Sequence, residues 1–155
     1  MKTEAILDQA ALHCESHGRK LTAKRRQVLA GLVKSEKALS AYDLADYCRE
    51  KLGTSLLPMS VYRILEFLQS IGLVHRLNTA NKYVACAHIT CDHAHEIPQF
   101  LICKVCGSVR EVGITKSLIK GISQAVEKVG FHLVNNQLEL ECLCADCALQ
   151  QGVAQ

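Results

Sequence analysis

Two Cys-x-x-Cys pairs constrain the fold of this 155-residue chain more than any other feature of its sequence. The first pair is Cys103 and Cys106, and the second is Cys144 and Cys147. Each tight turn presents two sulfurs to a common point, and four thiolates complete the tetrahedral shell of a zinc ion without an open position for a substrate. The double pair therefore predicts a structural metal site that holds the surrounding fold together.

Further potential metal ligands lie before and between the two pairs. They are His75, Cys86, His88, His93, His95 and Glu111. A thiolate, imidazoles and a carboxylate suit tetrahedral Zn²⁺, whereas octahedral iron or manganese prefers more oxygen donors and no thiolate. We interpret the four-cysteine site as structural and this mixed second site as the one through which the protein responds to metal.

Composition and charge limit the class of protein. The chain has nine cysteines and no N-terminal apolar segment of the signal-peptide type, so we expect a reducing, cytoplasmic compartment and thiols that bind metal. No apolar run is long enough to span a bilayer, which argues against a membrane partner. Residues 1–76 contain twelve Lys and Arg against eight Asp and Glu, whereas residues 77–155 contain six against seven. The basic first half fits an anionic partner, although ordinary surface variation would give a similar excess.

The first half of the chain carries the pattern of four amphipathic helices and a hairpin. Thr22 and Ser40 are suited to cap the second and third helices, Gly53 to end the third, and Pro58 to begin the fourth. Two short strands then flank an Asn-rich turn at 78–81. This order is typical of a winged helix-turn-helix, in which the fourth helix here would enter the major groove of DNA.

Candidate DNA contacts lie near the starts of the second and fourth helices. Cations in the first turn of a helix oppose its dipole, and contact with phosphate would offset that cost. The candidates are Lys24, Arg25, Arg26, Ser60, Tyr62 and Arg63. The alternative is a generic helical domain in which these side chains are solvated surface groups.

The second half predicts a small strand–strand–helix–strand unit. Short strands flank the first cysteine pair, a helix runs from Thr115 through Lys128, and residues 131–143 alternate as one long strand. The helix would bury Leu118, Ile119, Ile122, Ala125, Val126 and Val129. A unit of about 55 residues buries too little apolar surface to be stable alone, so we expect zinc as a staple and a second copy of the chain as a partner.

The chain resembles the Fur family of metal-responsive transcriptional repressors and is most similar to its zinc uptake regulator branch. The matching segments are LTAKRR (21–26), SAYDL (40–44), VYRILEFL (61–68), GLVHR (72–76), YVAC (83–86), FLICKVCG (100–107), Glu111 and the last cysteine pair. The resemblance implies an α+β fold with an N-terminal winged helix-turn-helix and a C-terminal α/β dimerisation domain that carries the structural four-cysteine zinc site. It places the DNA-binding domain at 1–86, a hinge at 87–98 and the dimerisation and metal-binding domain at 99–155.

The resemblance also implies one structural and one regulatory Zn²⁺ per subunit. Positions that match the regulatory ligands are His75, Cys86, a loop histidine (His95, with His93 as the alternative) and Glu111, and Tyr42 and Arg63 match DNA-contacting positions. The implied function is a zinc-responsive repressor of zinc uptake genes. It would bind a palindromic operator in double-stranded DNA as a zinc-loaded homodimer, with no small-molecule substrate. An iron- or peroxide-responsive regulator of the same family is the alternative.

Two departures from the family pattern bear on the regulatory site. The loop between Cys86 and Cys103 is slightly long and offers His88, His93 and His95 as the third ligand, and a histidine is missing from the last strand. Asn136 stands near the place where iron-sensing members usually carry a histidine, which favours zinc. Cys142 occupies a position that is usually glycine, so it is either an alternative to Cys144 as a ligand or a spare thiol. Cys91 has no assigned role.

Other functional classes fit the sequence less well. A thiol-redox enzyme needs a low-pKa cysteine at a helix N-terminus, whereas Cys103 ends an apolar strand. A zinc hydrolase needs an open coordination position, and the His-x-Glu signature of zinc deaminases is missing because Glu96 directly follows His95. A metallochaperone would not need a winged helix. We therefore expect a regulator and not an enzyme.

Overall fold

The computed structural model describes residues 2–90 and 97–153. The chain divides into two compact units, Met1–Cys91 and Asp92–Gln155. Elements of the first unit are α1 (Lys2–Ser16), α2 (Ala23–Ser35), α3 (Ala41–Leu52), α4 (Pro58–Ser70), β1 (Val74–Leu77) and β2 (Lys82–Ala85). No helix in the described part of the chain is both long and apolar enough to cross a bilayer.

Side-chain caps and one glycine define the helices of the first unit as predicted. Oγ1 of Thr22 accepts a hydrogen bond from the backbone N–H of Arg25, and Oγ of Ser40 accepts one from Asp43 at 3.1 Å. Gly53 follows α3 with a φ of +65°, a left-handed conformation that costs glycine little. These contacts satisfy backbone groups that the helix ends would otherwise leave without partners.

The four helices pack around one apolar core, to which the hairpin adds its own buried side chains. Fully buried residues at its centre come from every helix and from the segment before the hairpin: Leu7, Leu29, Leu44, Leu65 and Leu73. Strand β1 pairs antiparallel with β2, and His75 lies opposite Val84. Helices followed by a two-stranded wing confirm the predicted winged helix-turn-helix.

A three-stranded sheet with two helices forms the second unit. Its elements are β3 (Ile97–Cys103), β4 (Val109–Ile114), α5 (Lys116–Glu127), β5 (Glu139–Cys142) and α6 (Ala145–Gln150). The strand order is β4-β3-β5, with β3 antiparallel to β4 and parallel to β5. The predicted α+β class is confirmed. Residues 97–98, expected in the hinge, belong to β3, where Pro98 is tolerated because β5 pairs only from Phe100 onwards.

The prediction of one long strand over residues 131–143 is wrong for its first eight residues. Only Glu139–Cys142 is a strand, because the side chain of Gln99 occupies the backbone groups just before it. Gln99 is 1% exposed, its Nε2 donates to the carbonyl of Asn136 at 2.8 Å, and its Oε1 accepts from the N–H of Leu138. A buried side-chain amide needs hydrogen-bond partners. Gln99 would lose its partners if the backbone groups of Asn136 and Leu138 were paired with a neighbouring strand instead.

The predicted burial of α5 is also wrong for most of its apolar face. Ile119 is buried, whereas Leu118 is 54% exposed and Val129, just beyond the helix, is 71% exposed. Thr115 is the N-cap residue as predicted, but its Oγ1 lies 3.0 Å from Oγ of Ser117 and makes no capping hydrogen bond. The periodicity therefore predicted the helix correctly, but it did not show that most of the apolar face of this helix is left uncovered by the described part of the chain.

Candidate metal centre and DNA-binding surface

The first cysteine pair lies on the turn that joins β3 to β4. Cys103 is the last residue of β3, and its carbonyl accepts a hydrogen bond from the N–H of Gly107 at 2.9 Å. Gly107 has a φ of +74°, so the turn needs a residue without a Cβ at this point. The tight turn brings the side chain of Cys106 back towards that of Cys103.

The second pair follows β5 and begins α6. In the parallel ladder Cys103 lies opposite Cys142, so the end of β5 reaches the turn of the first pair. Cys144 is the N-cap residue of α6, and Cys147 lies one turn further along that helix. The backbone N–H of Cys144 donates to Sγ of Cys103 at 3.4 Å. Sheet register and a short helix thus bring together two pairs that are about forty residues apart.

The four sulfurs form a group with the dimensions of a zinc site. The Sγ atoms of Cys103, Cys106, Cys144 and Cys147 all lie within 4.8 Å of one another, and those of Cys106 and Cys144 are 3.8 Å apart. Two sulfurs at ~2.3 Å from a tetrahedral zinc are themselves about 3.8 Å apart. The cluster is therefore compatible with a structural four-thiolate zinc ion, and Cys142 lies outside it.

Electrostatics of the cluster favour a bound cation. Backbone N–H groups, first that of Cys106 and then that of Cys144, lower the pKa of the Cys103 thiol to about 6. Hydrogen bonding with Ser108 lowers the pKa of Cys106 as well. In contrast, the hydrogen bond with Cys144, burial, and the proximity of the other thiols raise the pKa of Cys147 to about 12. Some of the thiols ionise readily, but four adjacent thiolates repel one another unless a cation lies between them.

Two candidate regulatory ligands lie close together in the first unit. Cys86 directly follows β2, is 7% exposed, and donates its backbone N–H to the carbonyl of Leu73 at 2.9 Å. Its Sγ accepts a hydrogen bond from the N–H of His88 at 3.4 Å. A ring nitrogen of half-buried His75 lies within 4.8 Å of this sulfur. The wing hairpin thus supplies one imidazole and one thiol to a common point.

The remaining predicted ligands are separated in the chain from this pair. Glu111 is half-buried on β4 of the second unit, where it pairs with Phe100 in the sheet. His88 is half-buried in the turn after Cys86. The loop histidines His93 and His95, together with Cys91, lie outside the described residues.

The N-terminal halves of α3 and α4 carry the predicted DNA-contacting side chains. Ser60 and Arg63 are exposed on α4, and Tyr62 between them is half-buried. Tyr42, on α3, is 61% exposed, and its ring meets that of Tyr62 edge to face at a centroid distance of 6.3 Å. The two tyrosines support each other, so the exposed edge of α4 is braced by α3.

The three cations at the start of α2 have different surroundings. Lys24 is exposed. Arg26 donates from Nη2 to Glu4 and to Asp8, both at 2.8 Å, and these hydrogen bonds raise its pKa. Arg25 lies with its guanidinium carbon 3.5 Å from the centroid of the Phe67 ring. The sequence pattern does not distinguish the three cations, because the carboxylates on α1 and the aromatic ring on α4 are distant in the chain.

Comparison with known proteins places the chain among metal-dependent regulators. The model of the ferric uptake regulator family matches residues 16–141. The zinc uptake regulation protein of Escherichia coli K12 is 36% identical over 149 residues, which cover 94% of this chain and 82% of that protein. Its counterpart in Mycobacterium tuberculosis H37Rv is 29% identical over 133 residues, or 84% and 95% of the two chains.

Solved structures give the same result for the fold. A zinc uptake regulator in complex with zinc and DNA is similar with a TM-score of 0.83 and 33% identity, over 98% of this chain and 99% of that one. The crystal structure of holo XcZur gives a TM-score of 0.76 and 32% identity, over 94% and 98%. Both likenesses extend over the winged-helix unit and the unit that carries the four-cysteine cluster.

Proposed function

The chain belongs to the ferric uptake regulator family, and from that premise we propose that it is a zinc-responsive transcriptional repressor of zinc uptake genes. It binds a palindromic operator as a zinc-loaded homodimer. The observation that carries the proposal is the meeting of His75 and Cys86 at the wing of the DNA-binding unit. A metal ligand pair at this place can convert zinc occupancy into a change in DNA affinity.

The structural ion is held by Cys103, Cys106, Cys144 and Cys147. Their spacing fits tetrahedral zinc, and all four coordination positions are filled by protein sulfur. A closed shell offers no position at which zinc can be exchanged easily or a substrate bound. This ion stabilises the second unit, and the occupancy of its site does not follow the zinc concentration.

The regulatory ion is held by His75, Cys86, His95 and Glu111, with His93 as the alternative to His95. Sulfur, nitrogen and carboxylate oxygen together suit Zn²⁺ better than iron or manganese. Because the wing and β4 both supply ligands, zinc occupancy couples the dimerisation domain to the DNA-binding domain. By reciprocity, operator DNA tightens zinc binding by the factor by which zinc tightens DNA binding.

The DNA surface consists of the exposed starts of three helices. Ser60, Tyr62 and Arg63 on α4 enter the major groove, Tyr42 on α3 supports them, and Lys24 and Arg25 contact the phosphate backbone. Arg26 was predicted from the sequence to make the same kind of contact. Since its charge is already matched by two carboxylates, we expect its contribution to be the smallest.

The proposal is tested by measuring zinc and DNA binding on the same samples. An operator is first selected from random duplexes with the zinc-loaded protein. After mild chelation we expect one zinc per subunit to remain, and the affinity for the operator to fall by at least ~10-fold, as a coupling of more than about 1.4 kcal/mol requires. Protein that remains folded and binds the operator equally well with one zinc or two would contradict the proposal.

Cys86→Ser separates sensing from folding. This variant should keep one zinc and its fold but should bind the operator weakly at every zinc concentration, because the regulatory site has lost its thiolate. Cys142→Ser is the matched control, since that thiol lies outside the four-sulfur cluster, and it should respond to zinc as the natural sequence does. DNA binding that is switched on by a lower concentration of iron than of zinc would instead support the iron-responsive alternative.

A further inference from the structure

Two guanidinium groups lie against one aromatic ring of the DNA-binding unit. Phe67, on α4, is 8% exposed. The guanidinium carbon of Arg25 lies 3.5 Å from the centroid of this ring, and that of Arg19 lies 5.1 Å from it. Arg25 also donates from Nη1 to the carbonyl of Lys20 at 2.7 Å, which fixes its orientation. The two cations therefore come from different segments and meet at one position on α4.

The charges of this pair are not matched by carboxylates. Among the described residues neither Arg19 nor Arg25 forms an ion pair, whereas their neighbour Arg26 has two. Because both guanidinium carbons lie near one centroid, at 5.1 Å and 3.5 Å, they are no more than 8.6 Å apart. Like charges within this distance repel each other, and contact with the ring offsets the repulsion only in part. The arrangement is thus preorganised for an anion that would lie between or beside both guanidinium groups.

We infer that Arg19 and Arg25, supported by Phe67, form a binding site for one backbone phosphodiester of duplex DNA. The inference rests on the proposed function, since it takes DNA as the ligand. A stacked guanidinium keeps its N–H edge free for the two oxygens of a phosphate, which a flexible ammonium cannot match. Arg19 lies between α1 and α2 and has no other role in the proposed function.

The site would set the register of α4 on the duplex. Phe67 lies on the same helix as Arg63, one turn further along, so a phosphate held on its ring fixes the distance between the backbone and the base-contacting end of α4. Phosphate contacts of this kind position a protein without selecting sequence. Arg19 is accordingly a positioning residue whose loss should weaken binding to all duplexes alike.

The test is the salt dependence of DNA binding by the zinc-loaded protein. Fluorescence anisotropy is measured from low to moderate salt with the selected operator and with a scrambled duplex of equal length. Arg19→Gln should reduce the magnitude of the slope of log K against log salt by about 0.9 for each phosphate that the variant no longer neutralises, equally on both duplexes. Arg19→Lys should restore only part of the affinity, because the planar group is gone. Lys34→Gln, at the other end of α2, is the charge-matched control and should keep the slope.

Phe67→Leu tests the ring separately. It keeps an apolar side chain in the core, and thermal unfolding confirms that the variant is folded. We expect the same decrease in salt slope as in Arg19→Gln, and the double variant should show no larger decrease than either single one. Suppose that the natural protein binds DNA only with zinc but Arg19→Gln leaves the salt slope unchanged. That result would overturn this inference and leave the proposed function intact. Natural protein that ignores zinc would instead contradict the proposed function.

Discussion

The two units of this chain are stabilised in different ways. Of the buried hydrophobic side chains among the described residues, twenty-two lie in the first unit and four in the second, and two of those four are the cysteines Cys103 and Cys147. The first unit has capped helices around one apolar core. The second has a sheet, an exposed helix face and four converging thiols, so we expect a metal ion and a partner subunit to supply the stability that apolar burial does not.

The largest expected effect comes from removing one sulfur of the cluster. Cys103→Ser should lose the structural zinc, and the second unit should unfold, because zinc binding to such a site is itself folding free energy. The first unit should keep its helices, since its core contains no part of the cluster. Zinc content and circular dichroism measure the two effects. Cys142→Ser is the control, and equal damage from both substitutions would show that the cluster is wrongly assigned.

A smaller effect is expected from the open face of α5. Leu118 is 54% exposed in the single chain, and Leu118→Glu should weaken a dimer that covers this face by at least ~10-fold, because a carboxylate would be buried there without a partner. Sedimentation at several concentrations gives the dissociation constant. Leu12→Glu, at a similarly exposed position on α1, should leave it unchanged. Dimers that survive Leu118→Glu would show that another surface joins the subunits.

The smallest effect is expected from overfilling the core of the first unit. A Cβ added at Gly31 would lie 2.8 Å from Cδ1 of Leu44 and 3.0 Å from Sγ of Cys48. Gly31→Ala should therefore lower the free energy of unfolding by about 1–3 kcal/mol, measured by urea denaturation, without changing zinc content. Gly121→Ala, in α5 with nothing near its added Cβ, should not destabilise. Loss of zinc from Gly31→Ala would mean that the two units are not separately stabilised.

Local chemistry made most of the first unit predictable. The caps Thr22 and Ser40, the stop at Gly53 and Pro58 at the start of α4 act within a few residues, and they predicted the helix ends correctly. The four-cysteine cluster was predictable for a similar reason, because tetrahedral zinc accepts few arrangements of two Cys-x-x-Cys turns.

Interactions between distant residues were not predictable from the sequence. The side chain of Gln99 replaces strand pairing before Glu139, and nothing in the alternation of residues 131–138 indicates it. The carboxylates that hold Arg26 lie on another helix, as does the ring beneath Arg25. The exposure of α5 was missed because a periodic pattern shows which face is apolar and not whether the same chain covers it.

The difference between the units is tested most directly by hydrogen exchange before and after bound metal is removed with a chelator under reducing conditions. We expect the amides of residues 97–153 to lose their protection in metal-free protein, while those in the core of residues 2–90 keep theirs. Re-addition of one zinc per subunit should restore the second unit. Equal protection of residues 97–153 with and without zinc would contradict the claim that metal, and not an apolar core, holds this unit together.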